Sequence, residues 1–337
     1  MTTIRWGVLS TANIARTQLI PAIKQAGNAE IAAIASRGPK AHDAAAELKI
    51  PKAYETYEEL LEDPEIDAVY IPLPNHLHKE WVFKAAERGK HILCEKPAAL
   101  NAKDTEEMIH FCRERNVKFM EAFMYQFHPQ HARVREIIKS GEIGEVKLMK
   151  SSHSFNFQNR EGDIRMAKEM GGGSLYDVGC YSVHAIRTVL ESEPAEVQAR
   201  AEIDEVTGVD TSAYVFLELE NGIPAIFDCS FDTANRNEYE VIGTEGTIKV
   251  PYAFRPDQNG GIGPVIVTTG NTSREEKIAG SIYQLEVEHF SAAILNDAAP
   301  VYSGESAVAN MRVLDACFTS MATGKRISLR SDGAEVK

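Results

Sequence analysis

The first third of the chain alternates short apolar runs with helical patterns, and this alternation constrains the fold more than any other feature. The runs at residues 4–10, 29–36, 53–54, 67–73, 91–95 and 117–121 suit strands of a parallel sheet covered by helices on both faces. The stretches between them carry their own start and stop signals. Asn13 is predicted as the first N-cap, Pro21 should kink or split that helix, Gly27 should end it, and Pro39 should open the next. Repeated β-α-β units of this kind define the doubly wound α/β class.

In that class the turn after the first strand receives a dinucleotide pyrophosphate. Here it reads Gly7-Val8-Leu9-Ser10-Thr11-Ala12-Asn13-Ile14-Ala15. The G-x-G-x-x-G/A spacing falls on Ser10, Ala12 and Ala15, so small residues replace the first two glycines. Ser10, Thr11, Ala12, Asn13 and Ile14 are the candidate phosphate cradle, with a backbone less permissive than glycine allows. The second strand ends in Ser36-Arg37-Gly38, where NAD-preferring domains place a carboxylate. A hydroxyl beside a guanidinium suits a ribose 2′-phosphate, which makes NADP the expected cofactor and NAD the alternative.

The fifth run breaks off in Glu95-Lys96-Pro97. Proline biases the residue before it toward extended geometry, so Lys96 is expected at a rigid strand end, where open parallel sheets bind ligands. Farther on, Asp177, Tyr181 and His184 follow Gly171-Gly172-Gly173 at intervals of four and three. A helix over residues 177–190 would set all three on one face.

Composition narrows the partners. Asp plus Glu outnumber Lys plus Arg by 49 to 36, a net charge of −13, which argues against nucleic acid and anionic membrane surfaces. With no apolar run of spanning length and no basic-then-apolar leader, a cytoplasmic protein without a membrane partner is expected. The five cysteines, Cys94, Cys112, Cys180, Cys229 and Cys317, lack paired or metal-ligand spacing, which fits reduced thiols and no metal.

Taken in order, several motifs resemble those of the Gfo/Idh/MocA oxidoreductases. They are Pro74-Asn75-His76-Leu77-His78, Glu95-Lys96-Pro97, the junction segment from Glu121 to Pro129, the segment from Gly171 to Tyr181, and Gly243-Thr244-Glu245-Gly246-Thr247. The resemblance implies a Rossmann domain over residues 1–124, then a substrate-binding and oligomerisation α/β domain over residues 125–337. The second domain would carry a large, mostly antiparallel open sheet, whose exposed face would join a homodimer or homotetramer. Residues 146–156, 195–203, 212–219, 223–230, 238–243 and 247–250 have strand length and alternation of their own, with Asn221-Gly222 as a hairpin turn. Helical patterns return at 282–295 and 305–320.

Many family members carry His where this chain has Tyr181. The Asp-Val-Gly-Cys-Tyr version resembles the branch of dihydrodiol dehydrogenases, NADP-linked xylose dehydrogenases and glucose–fructose oxidoreductases, in which a lysine and a tyrosine perform the acid–base step. Carried over, these are Lys96 and Tyr181. A free phenol titrates near pH ~10, and an ammonium beside it favours the phenolate, so such a pair can exchange a hydroxyl proton while hydride moves. Asp177 would orient substrate hydroxyls or Lys96, with His184 behind it. Pro72, Leu73, Asn75, His76, Glu95 and Lys96 would border the nicotinamide and its ribose. Phe123, Tyr125 and Phe155 join Asp177, Tyr181 and His184 as candidate substrate contacts. The resemblance implies an NAD(P)-dependent oxidoreductase acting on a small sugar, polyol or related carbonyl. Trans-dihydrodiol oxidation and a non-catalytic nucleotide-sensing role in the same fold are the alternatives, the second disfavoured by retention of both Lys96 and Tyr181.

Overall fold

The computed structural model describes residues 3–330. The chain divides into two compact units: residues up to Met124 together with Ile282–Met311, and Tyr125–Ser281 together with the residues from Arg312 onward.

The first unit is built on β1 (Ile4–Leu9), β2 (Ala29–Ala35), β3 (Lys52–Tyr54), β4 (Ala68–Ile71), β5 (His91–Cys94) and β6 (Phe119–Glu121). They form one sheet in the order β3-β2-β1-β4-β5-β6, and each pairing is parallel. This is the strand order of a dinucleotide-binding sheet. The strands are apolar on both faces because helices cover both. Val69, Ile71 and Ile92 pack with Leu60, Tyr57 and Trp81 from the connecting helices, and the last two rings meet edge-on with centroids 4.8 Å apart. The returning helix Ile282–Leu295 brings Phe290 against the fully buried Trp6, and Ser291 Oγ accepts the indole N–H at 3.1 Å.

The first helix departs from expectation at both marked residues. Asn13 is already helical rather than the N-cap, and Ala12 O accepts the N–H of Arg16. The Ser10 hydroxyl has taken the N–H of Ala12, so the turn is closed one step earlier than Asn13 could close it. Pro21 does not split the helix, which runs unbroken from Asn13 to Gln25, but a π-turn precedes it. Ala15–Leu19 is a π-turn that leads into the α-helix Ile20–Gln25, with Pro21 in its first turn. The wider turn falls just ahead of the ring that cannot donate a backbone hydrogen bond.

The second unit holds β7 (Val146–Ser154), β8 (Pro194–Ile203), β9 (Asp210–Leu219), β10 (Pro224–Ser230), β11 (Arg236–Gly243), β12 (Gly246–Pro251), β13 (Ile262–Thr269), β14 (Thr272–Ala279) and β15 (Ile327–Ser328). They form one sheet in the order β14-β13-β12-β11-β7-β10-β9-β8-β15. β7 and β10 pair in parallel, and the other neighbours are antiparallel. One face is apolar and covered: Met149, Val215, Leu217 and Phe227 are buried there. The opposite face carries Lys150, Tyr214 and Ile226, all exposed. Such alternation is what an antiparallel sheet with one free face requires.

Three strands of this sheet, β13, β14 and the short β15, were not expected from the sequence. β13 contains Pro264, and Pro264 pairs only with β14, since the pairing with β12 begins at Ile266. β14 is largely charged, and as the edge strand it presents side chains that discourage further pairing. Among the described residues, no helix is long and apolar enough to cross a membrane. All five cysteines are buried and none is in a disulfide.

Candidate active site

Parallel register lines up one edge of the first sheet. Leu9 pairs with Ala35, Val8 with Tyr70, and Ile71 with Cys94. Ser10, Ser36, Pro72 and Glu95 therefore leave the strand ends side by side, about the β1–β4 step where the strand order reverses. At Ser10 φ is 142°. A residue with a Cβ holds such a conformation at a cost of about 1–3 kcal/mol, and strain of this kind is kept where backbone must approach a ligand. Beyond it the helix begins at Asn13, and its first N–H groups have no intrahelical acceptor. Thr11, Ala12 and Ile14 are half-buried, Ser36 is buried and Arg37 is exposed. His76 Nδ1 is buried without a hydrogen-bond partner. A backbone cradle, a hydroxyl beside a guanidinium, and an orphaned imidazole nitrogen fit a phosphorylated dinucleotide.

Behind this edge the Glu95-Lys96-Pro97 segment is fastened by buried groups. Glu95 Oε1 accepts the phenolic O–H of Tyr70 at 2.5 Å, and Oε2 accepts the Lys96 backbone N–H at 3.2 Å. Burial, reinforced by the Glu95 charge, pushes the Tyr70 phenol well above its ordinary range, so it stays a neutral donor. The Lys96–Pro97 peptide is cis. His78, fully buried, sets Nδ1 2.9 Å from Pro97 O and Nε2 2.8 Å from Leu73 O. It thereby ties the loop after β4 to the loop after β5. Burial brings its pKa down to about 4, so at neutral pH the ring carries one N–H, which donates to one of these carbonyls while the other nitrogen lies against the second. Glu121 Oε1 accepts the N–H of Ala98 at 2.8 Å.

In the second unit Tyr181 opens the α-helix Cys180–Val189, directly after a π-turn, Leu175–Gly179. The step from Asp177 to Tyr181 thus crosses a π-turn, and the expected single face resolves into two sets of partners. Tyr181 is buried among the rings of His153 (5.1 Å), Phe254 (5.6 Å) and Tyr125 (5.7 Å). The Tyr125 hydroxyl lies 2.7 Å from His184 Nδ1. Burial holds the His184 pKa well below its usual value, so this ring is neutral and interior rather than a surface histidine.

Asp177 takes a different partner, with Oδ2 accepting from Arg165 Nε at 2.8 Å. The same guanidinium reaches Asp163 and lies 5.7 Å from the Phe157 ring. Phe155 is half-buried against Phe157 and Phe231. Phe123 is 1% exposed within the first unit.

The glycines ahead of Tyr181 are required sterically. A Cβ on Gly172 would stand 2.6 Å from Arg165 O, and one on Gly173 (φ +116°) 2.2 Å from Asp210 Oδ1. Asp210 Oδ2 accepts both the Ser174 hydroxyl and the Leu175 N–H at 2.7 Å. Arg165, Asp210 and the bridging role of His78 were missed in sequence, because none sits at a fixed spacing from the group it holds. Among the described residues, no group of three or more His, Cys, Asp or Glu side chains forms a metal cluster. A surface depression beside His42, Tyr54, Glu55, Glu59 and Asp63 is lined by none of the predicted site residues.

Comparison with known proteins agrees with this architecture. Residues 4–123 match the oxidoreductase family model with an NAD-binding Rossmann fold, and residues 131–249 match the GFO/IDH/MocA C-terminal domain. The chain is 41% identical over 325 residues to a D-xylose 1-dehydrogenase (NADP(+)) of Haloferax volcanii, covering 96% of this chain and 99% of that one. Its fold is similar to the aldose-aldose oxidoreductase of Caulobacter crescentus complexed with glycerol (TM-score 0.90, 25% identity, 97% and 100% of the two chains). It is also similar to a 3-ketoreductase of Actinomadura kijaniata in complex with NADP and TDP-benzene (TM-score 0.89, 30% identity, 95% and 98%). The strand order, the motif positions and these likenesses have one conclusion: the chain belongs to the Gfo/Idh/MocA oxidoreductase family.

Proposed function

We propose that this protein is an NADP-dependent oxidoreductase that moves hydride between nicotinamide and a sugar or related polyol, with Lys96 and Tyr181 as its acid–base pair. The strongest support is the row of Ser10, Ser36, Pro72 and Glu95 along one sheet edge, with Lys96 following Glu95 and an orphaned His76 nitrogen nearby in sequence to Pro72. Similarity to an NADP(+)-linked xylose dehydrogenase and to an NADP-bound ketoreductase supports the cofactor and the substrate class.

Residues 1–124 supply the cofactor site and residues 125–337 the substrate and assembly surfaces. Ser10, Thr11, Ala12, Asn13 and Ile14 hold the pyrophosphate, and Ser36 with Arg37 holds the 2′-phosphate. Pro72, Leu73, Asn75, His76 and Glu95 border the nicotinamide and ribose. When bound, the nicotinamide supplies the hydride acceptor or donor. Tyr181 Oη takes the hydroxyl proton in oxidation and returns it in reduction, and the Lys96 ammonium stabilises the phenolate between the two. Asp177, held by Arg165, orients substrate hydroxyls. Tyr125 and His184 keep the Tyr181 ring in place, and Phe123 and Phe155 contribute apolar walls. The exposed sheet face with Tyr214 and Ile226 joins copies into a dimer or tetramer, which sedimentation velocity would detect and a purely monomeric species would exclude. The protein acts in the cytoplasm, where its buried thiols stay reduced; secretion of the native protein would contradict this.

The test is an absorbance screen of NADP and NAD against aldoses, polyols and trans-dihydrodiols, run beside Tyr181→Phe. The variant should lose at least about a hundredfold in turnover while NADPH binding, followed by fluorescence, stays nearly unchanged. Near-wild-type turnover removes Tyr181 from the mechanism. A preference for NAD removes the assigned role of Ser36 and Arg37, and turnover of dihydrodiols alone replaces the sugar reading.

A further inference from the structure

We infer that Asp210, on β9, is a positioning residue for the reaction: its carboxylate clamps the start of the segment that delivers Tyr181. The inference rests on the reading of Tyr181 as the acid–base group.

Asp210 is 3% exposed and lies far in sequence from the residues it holds. One oxygen, Oδ2, accepts both the Ser174 O–H and the Leu175 N–H, each at 2.7 Å. These are the residues at which the π-turn Leu175–Gly179 begins, and that turn runs straight into the helix opened by Cys180 and Tyr181. An ordinary N-cap comes from the helix's own chain, and here the capping oxygen comes from a neighbouring strand. Ser174 is itself fully buried and offers no side-chain cap of its own, because its hydroxyl is spent on Asp210. The other oxygen, Oδ1, occupies the space that a side chain on residue 173 would fill, 2.2 Å from where a Cβ would stand. The third glycine of the Gly171-Gly172-Gly173 run is therefore bare in order to admit this carboxylate.

The clamp favours an anion. Two donors converge on a single oxygen at the amino end of a helical segment, where the backbone dipole also favours negative charge. Protonation would convert two charge-assisted bonds into neutral ones of roughly half the strength. The titratable groups around it are Tyr176 on the π-turn, Cys229 on β10, and Cys317 on the helix Gly304–Thr323. The Cys229 and Cys317 thiols are pushed up by burial first and by the Asp210 charge second, so neither ionises near neutrality. Burial likewise raises the Asp210 carboxyl, to about 6, against the opposing pull of Ser174 and Leu175. As pH falls through about 6 the two bonds therefore lose their charge assistance, although the buried carboxyl itself is better accommodated when neutral.

The experiment compares full-length wild type, Asp210→Asn, Asp210→Ala and Tyr181→Phe, recording kcat and KM for NADP and sugar from roughly pH 5 to 9, with circular dichroism as a check on folding. Asp210→Ala should lower kcat by about tenfold to a hundredfold while KM for NADP is unchanged. Asp210→Asn keeps an acceptor for the Leu175 N–H, so it should fold, retain part of the turnover, and lack the acid limb near pH 6 expected of wild type. If Asp210→Asn keeps that limb, or folded Asp210→Ala keeps wild-type kcat while Tyr181→Phe collapses, the inference is overturned and the Tyr181 assignment survives. If Tyr181→Phe keeps its turnover, the Tyr181 assignment has failed and takes the inference with it. Should Asp210→Ala not fold, the pH profile of Asp210→Asn decides alone.

Discussion

Replacing Tyr70 by phenylalanine isolates a hydrogen bond that backs Glu95 from the sheet interior. Tyr70 is fully buried in β4, and its hydroxyl donates to Glu95 Oε1 at 2.5 Å, the short end of the range for an O–H on a carboxylate. The substitution removes a single oxygen and leaves the ring packed, so no large cavity opens and the loss is that of the bond itself. Buried hydrogen bonds to charged groups contribute about 1.5–3 kcal/mol each. Tyr70→Phe should therefore destabilise the first unit by about 2 kcal/mol, lowering its Tm by roughly 4–8 °C. Because burial and the Glu95 charge keep the phenol neutral, the loss should be the same at neutral and mildly alkaline pH. A thermal and urea double-mutant cycle with Glu95→Gln should return a coupling of about 1–3 kcal/mol. Since Glu95 Oε2 also accepts the Lys96 N–H, turnover should fall along with stability. A loss below about 0.5 kcal/mol, or strictly additive single variants, would refute the reasoning.

His78→Phe should remove the buried imidazole that sits between Leu73 O and Pro97 O, costing about 2–4 kcal/mol in chemical denaturation and raising KM for NADP, with His78→Gln recovering part of both. Unchanged cofactor affinity in a folded His78→Phe would show that the tie between the two loops is not used. Asp210 predicts a stability profile with a definite sign. Its folded pKa is raised to about 6 from an ordinary value near ~3.9, so its contribution is complete at or below about pH 4 and is lost as pH rises through about 6. Relative to Asp210→Asn, wild type should lose about 3 kcal/mol across that interval, and a flat difference would contradict the burial argument.

Much of the first unit was legible because its strands are apolar on both faces, a pattern that few other folds require. Once strand ends are known, parallel register alone aligns Ser10, Ser36, Pro72 and Glu95, which is why these four residues could be grouped along one sheet edge from the sequence. The turn at Ser10 was readable as a weakened fingerprint, and its φ of 142° shows the cost of doing without glycine. The π-turns were hidden, since the local sequence of Leu175–Gly179 is as compatible with an α-turn and the extra residue is chosen by what packs around it. Arg165 and Asp210 escaped for a related reason. Each acts on a segment brought to it by tertiary folding, and no spacing in the chain records that. β14 was missed because an edge strand is selected to look unlike a strand.

The helix Ile282–Leu295 has a consequence for how the protein is made. Ser291, which receives the indole N–H of Trp6, is synthesised 285 residues after it. The nucleotide unit thus stays incomplete while residues 125–281 are produced, with an apolar flank uncovered in the meantime. A fragment stopped at Met124 would keep that flank exposed, whereas a permuted gene placing Ile282–Met311 ahead of Thr3 would complete it early.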